Sequence, residues 1–244
     1  MVAVPDSNEA AQRALGMTLM VVAMFLVPWL DAISKLLLER LAPAQVASGR
    51  FLAQTAVLLP LLLASPHRRW PVPGHFAAGL FLGIALLCFT HALRVMPIAN
   101  AISIFFVAPL ILTVLGAVVL KERIGWRRIG AVLVGLLGAL VVLRPNVAAY
   151  GPDALWPLGT AVLFSCYMLT TRMMSRGGSG LVLQFWTGAV AAAVLTLAML
   201  LPGTGAQIPL VPPLELTARD WALFAALGGL AAVAHQLIVR AMAR

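Results

Sequence analysis

The chain has 244 residues, of which 62% are hydrophobic and 10% charged, with a mean hydropathy of +1.00 and a formal net charge of +9. Soluble domains average about 25% charged residues, so this composition excludes a soluble globular domain and points to a polytopic membrane protein. The basic excess would suit a nucleic acid, but the basic residues sit in short loops between apolar runs rather than along one face, which argues against that partner.

Residues 1–14 are polar for most of their length and are expected to form a frayed cytoplasmic tail. They do not have the form of a cleavable signal, because the apolar run behind them is too long and no A-x-A site follows. The first span is predicted over Leu15–Leu38, the second over Ala47–Ala64 and the third over Phe76–Met96. The fourth, Ile98–Leu120, has no charged residue. At about 1.5 Å per residue it is long enough to cross a hydrocarbon core about 30 Å thick. The fifth runs over Ile129–Leu143, after a basic hairpin from Lys121 to Arg128. A Pro/Gly/Asp linker at residues 145–153 divides two halves. Three further spans follow: Ala154–Thr171, Leu181–Leu201 and Trp221–Met242, the last behind a long irregular loop from Pro202 to Arg219.

Loop charge sets the orientation. With the N-terminus inside, eleven basic residues are cytoplasmic: Arg13, Arg68, Arg69, Lys121, Arg123, Arg127, Arg128, Arg172, Arg176, Arg240 and Arg244. Five are external: Lys35, Arg40, Arg94, Arg144 and Arg219. This positive-inside bias makes the N-terminus cytoplasmic. Five helices is an odd number, so the second half begins on the opposite side from the first. The halves also correspond in position: Gly79-x-x-x-Gly83 opens the third span as Gly228, Gly229 and Ala232 open the eighth. Such small residues, and Ala131, Gly135 and Ala139 on the fifth span, read as close helix contacts. Pro28, Pro60 and Pro109 each remove a helix hydrogen bond inside a span; either a static kink or a hinge at a cavity follows. Cys88 and Cys166 lie within spans and read as packing residues, with no metal-ligand spacing.

Charges near a bilayer centre cost at least a few kcal/mol, so those present need a reason. Asp31 and Lys35 lie four apart on one face of the first span and can form an i, i+4 ion pair. Arg50 lies near the outer end of the second span, His91 and Arg94 near that of the third, and Asn100 opens the fourth. Lys35 and Arg94 can snorkel, whereas Asp31 and Arg50 are expected in a buried pair or network. Asp31, Lys35, Arg50 and His91 are expected to form a polar cluster closing the outer side of a cavity. At the inner face lie Ser165, Tyr167, Thr170 and Thr171, then Gln184 and Trp186, then His235, Gln236 and Arg240. Thr170 and Thr171 are expected to bond their own helix carbonyls. Trp29, Trp156, Trp186 and Trp221 sit where interfacial anchors belong. The candidate binding or gating set is therefore Asp31, Lys35, Arg50, His91, Asn100, Tyr167, Trp186, His235 and Gln236, with no catalytic or metal-ligating residue.

The segment ALRVMPIANA, Pro109 within the following apolar helix, and LKERIGWRRIGAVLVGLLGALVVLRP resemble the end of the first repeat of an EamA-type carrier of the drug/metabolite transporter superfamily. The resemblance covers most of the chain and is sharpest over Ala92–Pro145. It implies an all-α polytopic membrane protein of ten transmembrane helices in two inverted five-helix repeats, and transport of small metabolites. On that pattern residues 15–144 form the first repeat and residues 154–244 a second with three helices, so that 8 of 10 helices are present. The counterpart of residues 95–144 is expected to be missing; the alternative is an eight-helix form that recovers the contacts by dimerising.

No motif of catalysis occurs: there is no G-x-S-x-G, no H-E-x-x-H, no P-loop and no carboxylate pair within a span. Without a nucleotide site, transport is facilitated or driven by an ion gradient such as that of protons, with no cofactor. The expectation is a bacterial inner-membrane carrier working by alternating access, with small-molecule substrate and membrane lipids as its partners. The alternatives are a lipid-flippase-like or intramembrane lipid-handling protein, or a non-transporting fragment.

Overall fold

The computed structural model describes residues 7–66, 69–121, 125–143, 150–174, 179–200 and 216–242. Those residues form helices α1 (Ser7–Leu37), α2 (Pro43–Leu63), α3 (Pro73–Val95), α4 (Ile98–Phe105), α5 (Ala108–Leu120), α6 (Trp126–Leu143), α7 (Leu155–Met174), α8 (Gly180–Leu200) and α9 (Ala218–Met242). No strand occurs among them, so the protein is an all-α polytopic membrane protein. Seven stretches are long and apolar enough to cross a membrane, α4 and α5 counting together as one, and α6 carries a shorter apolar stretch, Ile129–Gly138. Large apolar side chains such as Phe25 (72% exposed) and Val134 (69% exposed) point outward, where hydrocarbon rather than water would meet them.

The tail expected to fray is helical from Ser7 onward. Its Glu, Ala, Gln and Arg residues are strong helix formers, and they extend the first span backward instead of ending it. The second and third helices begin three or four residues earlier than hydropathy suggests, because Pro43 and Pro73 occupy their first turns. A proline is favoured there, since its missing N–H would have had no intrahelical partner. The free N–H groups just outside are met by side chains of the same turn. Gln45 Oε1 accepts from Ala42 N–H at 2.8 Å, and His75 Nδ1 from Val72 N–H at 3.0 Å. At α9, Asp220 Oδ2 accepts from Thr217 N–H at 2.9 Å. The same carboxylate oxygen accepts from Arg40 Nη1 at 2.7 Å, which clasps the end of α1 to the start of α9.

The uncharged run Ile98–Leu120 is not one continuous helix. It breaks at Phe106 and Val107, and Pro109 sits in the first turn of α5. Pro109 has no N–H to donate to the Phe105 carbonyl, and its ring crowds that carbonyl, so a restart is easier than a continuous ladder. The helices containing Pro28 and Pro60 run through without a break.

The first three helices pack on the last three. α1 lies on α9, α2 on α8 and α9, and α3 on α7 and α8. Exchanging α1 with α7, α2 with α8 and α3 with α9 maps this set of pairs onto itself. α4 and α5 pack on α7, and α6 packs lightly on α4 and α5. Apolar clusters fill the interior: Leu30, Leu93 and Leu227 where α1, α3 and α9 meet, Phe51, Leu86 and Leu195 between α2, α3 and α8, and Leu58, Val182 and Phe185 between α2 and α8.

Glycines allow the closest approaches. A Cβ on Gly79 would lie 2.6 Å from Val190 Cβ, one on Gly83 3.3 Å from the Ala191 backbone, and one on Gly228 2.5 Å from the Ala53 carbonyl carbon. Gly79, Gly83 and Gly228 therefore do serve packing, whereas a Cβ on Gly229 would meet nothing within 4 Å among the described residues. On the fifth, Ala131 and Gly135 are exposed, and a Cβ on Gly135 would meet nothing within 4 Å among the described residues. α6 lies at the edge of the bundle, so its glycine positions have no helix opposite.

Candidate functional site

The polar side chains that sequence alone groups together separate into three places. Lys35 does not pair with Asp31. Its ammonium donates to the carbonyls of Leu93 and Met96, the latter at 3.1 Å. The Leu93 carbonyl would normally accept from the residue four positions on, which is Pro97 and has no N–H. An orphaned carbonyl in apolar surroundings outcompetes a helix-surface ion pair for the ammonium, and the cation also suits the negative end of α3. His91 turns toward α7, where its ring stacks on Trp156 with centroids 4.2 Å apart. Asn100 Nδ2 donates to the Tyr150 hydroxyl at 3.0 Å, which ties α4 to the segment leading into α7. Thus Lys35, His91 and Asn100 all fasten helix ends at the side of the bundle where α1 and α3 end.

At the other end, Trp186 Nε1 donates to the Arg69 carbonyl at 2.9 Å and its ring meets Phe185 edge-on. It anchors the start of α8 to the α2–α3 connection. Tyr167 closes a row of rings, Phe89–Phe105–Phe164–Tyr167, with successive centroids 6.2, 5.4 and 5.7 Å apart along α3, α4 and α7. Thr170 and Thr171 bond the carbonyls of Cys166 and Met168 on their own helix, as expected.

The remaining groups meet in a seam between α2, α8 and α9, with Asp31 of α1 beside it. Arg50 lies about 10 Å along α2 from its start. Its charge acts on Asp31 and on His235 of α9. Among the described residues, however, neither Asp31 nor Arg50 makes a hydrogen bond or an ion pair within 4.0 Å, and the Arg50 Nε is fully enclosed without a partner. One turn further into the membrane, Gln54 Oε1 and Thr55 Oγ1 are also enclosed and unpartnered. Across from them α8 presents Gly188, where a Cβ would come within 3.2 Å of Thr55 Oγ1. Gln184 accepts from Gln236 Nε2 at 2.7 Å through its Oε1, while its own Nε2 has no partner. His235 Nδ1 is engaged by the Ala231 carbonyl at 2.9 Å.

Unpartnered buried polar atoms are rare in folded proteins, and each costs about 1–3 kcal/mol, more for a charged group. Here four fall on two facing helices. Together with Asp31 they offer guanidinium and amide donors, carboxylate and amide acceptors and a hydroxyl, with both signs of charge. Among the described residues no three His, Cys, Asp or Glu side chains come together to hold a metal. The arrangement suits binding rather than bond-breaking. Gln54 and Thr55 were missed in the sequence, though the spacing Arg50, Gln54 inside an apolar run marks a polar strip on one helix face.

Chains of known activity are similar in sequence to this one. The S-adenosylmethionine uptake transporter of Rickettsia prowazekii (strain Madrid E) is 29% identical over 167 residues, 67% of this chain and 57% of that protein's length, so the match spans little more than half of that relative. The pseudopaline exporter CntI of Pseudomonas aeruginosa (strain UCBPP-PA14) is 25% identical over 229 residues, 93% of this chain and 78% of that one. A crystal structure of another protein, 22% identical, shares the fold with a TM-score of 0.65 over 96% of this chain and 79% of that one. The model of the EamA-like transporter family matches residues 14–144, more than half of the sequence. With its apolar helices and the break at Pro109, the chain belongs to the EamA-like transporter family, within the drug/metabolite transporter superfamily.

Proposed function

We propose that this chain is a secondary transporter of small organic metabolites that works by alternating access around the α2–α8–α9 seam. Residues 15–144 act as one repeat and residues 154–244 as its inverted counterpart. The exchange pattern of helix contacts supports that division, because inverted repeats meet around a midplane site. The protein lies in a bacterial inner membrane with its N-terminus cytoplasmic, a placement supported by the distribution of basic loop residues.

Asp31, Arg50, Gln54, Gln184, His235 and Gln236 contact the substrate. Lys35, His91 and Asn100 hold the gate on the outer side, Trp186 holds the inner end, and Tyr167 with its aromatic row flanks the path. The observation that carries this reading is the Arg50 guanidinium, placed within a membrane span without a protein partner. An arginine near a bilayer centre costs at least about 2.5–3.5 kcal/mol, and an unpaired one adds nothing to stability that would explain its presence.

The test is flux of a metabolite panel into and out of vesicles carrying the purified protein, with and without a proton gradient and without ATP. Saturable flux of a panel member, lost in Arg50→Gln, supports the reading. Vesicles with correctly folded protein that move none of a broad panel in either direction refute it.

A further inference from the structure

We propose that Arg40 and Asp220 form a releasable latch, and that parting them lets the bundle open at the end where α1 stops and α9 starts. The proposal rests on the alternating-access reading for what that opening serves. Its ground is the geometry of the pair. Arg40 Nη1 donates to Asp220 Oδ2 at 2.7 Å and to Thr217 Oγ1 at 3.1 Å, so one guanidinium nitrogen ties the first half of the chain to the second. The Asp220 side chain is 4% exposed and that of Arg40 48%, so the acid is fixed in the bundle while the base is free to swing into water. Asp220 Oδ2 also accepts from Thr217 N–H at 2.9 Å and from Thr217 Oγ1 at 2.8 Å. The carboxylate therefore stays bonded as the cap of α9 when Arg40 leaves, and the freed guanidinium is hydrated. No buried group is orphaned, and an ion pair with one member half in water is worth little. Lys35 is different: withdrawing it takes a donor from the Leu93 and Met96 carbonyls. Of these two cationic ties, Arg40 is the one that lets go cheaply.

The exchange of the two helix trios identifies the matching place at the other end of the bundle. It carries the close approach of Gly228 to Ala53 onto that of Gly83 to Ala191. In both helices the capping side chain lies eight positions before that glycine, Asp220 in α9 and His75 in α3. The end of α7 meets the start of α3 there through Met174 and Gly74, where a Cβ on Gly74 would lie 2.5 Å from Met174 Sδ. An ionic contact at one end is thus matched by an apolar contact at the other. Salt screens the first and leaves the second in place, so ionic strength and charge at Arg40 bias which end opens.

The test uses the full chain in detergent, with Cys88 and Cys166 replaced by alanine and one reporter cysteine at a time. Leu38→Cys is buried at the latch end and Leu62→Cys is buried at the opposite end. The rate of maleimide labelling is read at each. Arg40→Gln is expected to speed labelling at position 38 at least threefold and to leave position 62 unchanged or slower. Arg40→Lys, which keeps the charge, should stay near the parent rate. Raising salt from about 50 mM to about 1 M should speed position 38 in the parent and add nothing in Arg40→Gln. Equal rates at position 38 in parent and Arg40→Gln, or equal acceleration at both positions, would overturn the latch. The salt comparison on the parent decides even where Arg40→Gln fails to fold. In vesicles, Arg40→Cys and Thr217→Cys bridged by a short reducible bis-methanethiosulfonate should stop flux, and reductant should restore it. Undiminished flux through the bridged protein would remove the latch and leave the transport reading standing. Labelling that follows the latch in a protein that moves no metabolite would do the reverse.

Discussion

Replacing Gly228 by alanine drives a methyl group into the backbone of α2. The new Cβ would lie 2.5 Å from both the carbonyl carbon and the Cβ of Ala53, and 2.7 Å from the Gln54 nitrogen. Ordinary carbon contacts need about 3.5–4.0 Å, so α9 must retreat from α2 by roughly 1 Å. Overpacking of this kind costs about 1–3 kcal/mol, while alanine in place of a helical glycine returns about 0.5–1 kcal/mol. Because the clash is with backbone, the upper part of that cost applies, about 2–3 kcal/mol, and the net loss is about 1–2 kcal/mol. At about 2–4 °C per kcal/mol for a chain of this size, the apparent Tm in detergent should fall by roughly 2–8 °C. The neighbouring residue supplies the control. Gly229 meets nothing within 4 Å, so Gly229→Ala retains only the helix-propensity gain and should leave Tm unchanged or slightly raised. Because the wedge presses beside Gln54, flux through the seam should also drop in Gly228→Ala and not in Gly229→Ala. Equal melting temperatures for the two variants would refute the close approach of α9 and α2.

Lys35→Met should destabilise by about 1–3 kcal/mol by leaving the Leu93 and Met96 carbonyls without a donor. Lys35→Arg, which keeps a cationic donor there, should lose less; a thermal-unfolding comparison in which it falls as far as Lys35→Met counts against the cap. Gln54→Leu should separate stability from activity: removing an unpartnered buried amide leaves Tm equal or higher, while substrate flux falls at least tenfold. Unimpaired flux in that variant would take Gln54 out of the site. In a cysteine-free background, cysteines placed near the N-terminus and within residues 121–128 should resist a membrane-impermeant reagent added outside, and efficient labelling of either would overturn the orientation.

The spans were legible because hydropathy over twenty residues is a property of the sequence alone. So was the disturbance at Pro109, which follows from a missing N–H. Helix starts were misjudged at Pro43 and Pro73 because an apolar window cannot register that proline favours a first turn. The partners of polar groups were less legible. The i, i+4 spacing of Asp31 and Lys35 states what one helix permits, while Pro97, sixty residues away, decides which acceptor most needs the ammonium. His91 and Arg50 share a depth but not a direction, and helix rotation is fixed by packing against α7 and α9 rather than by position along the chain. Ala131 and Gly135 of α6 carry the same four-residue spacing as Gly79 and Gly83 of α3, yet only a facing helix turns that spacing into a contact.

The interchange of α1, α2 and α3 with α7, α8 and α9 bears on the energy of a conformational cycle. In the proposed alternating-access cycle, when one trio takes up the posture of the other, the helix contacts given up on one side of the bundle are of the same kinds as those gained on the opposite side. Most of the packing energy then cancels between the two end states. What does not cancel are features without a counterpart under the exchange among the described residues, such as the Arg40–Asp220 clasp between α1 and α9 and the Lys35 cap. A residual difference of that kind is small enough for a ligand to tip: a hundredfold preference for one state is worth about 2.8 kcal/mol. The bundle can therefore be tightly packed in both postures and still be turned over by a single bound molecule.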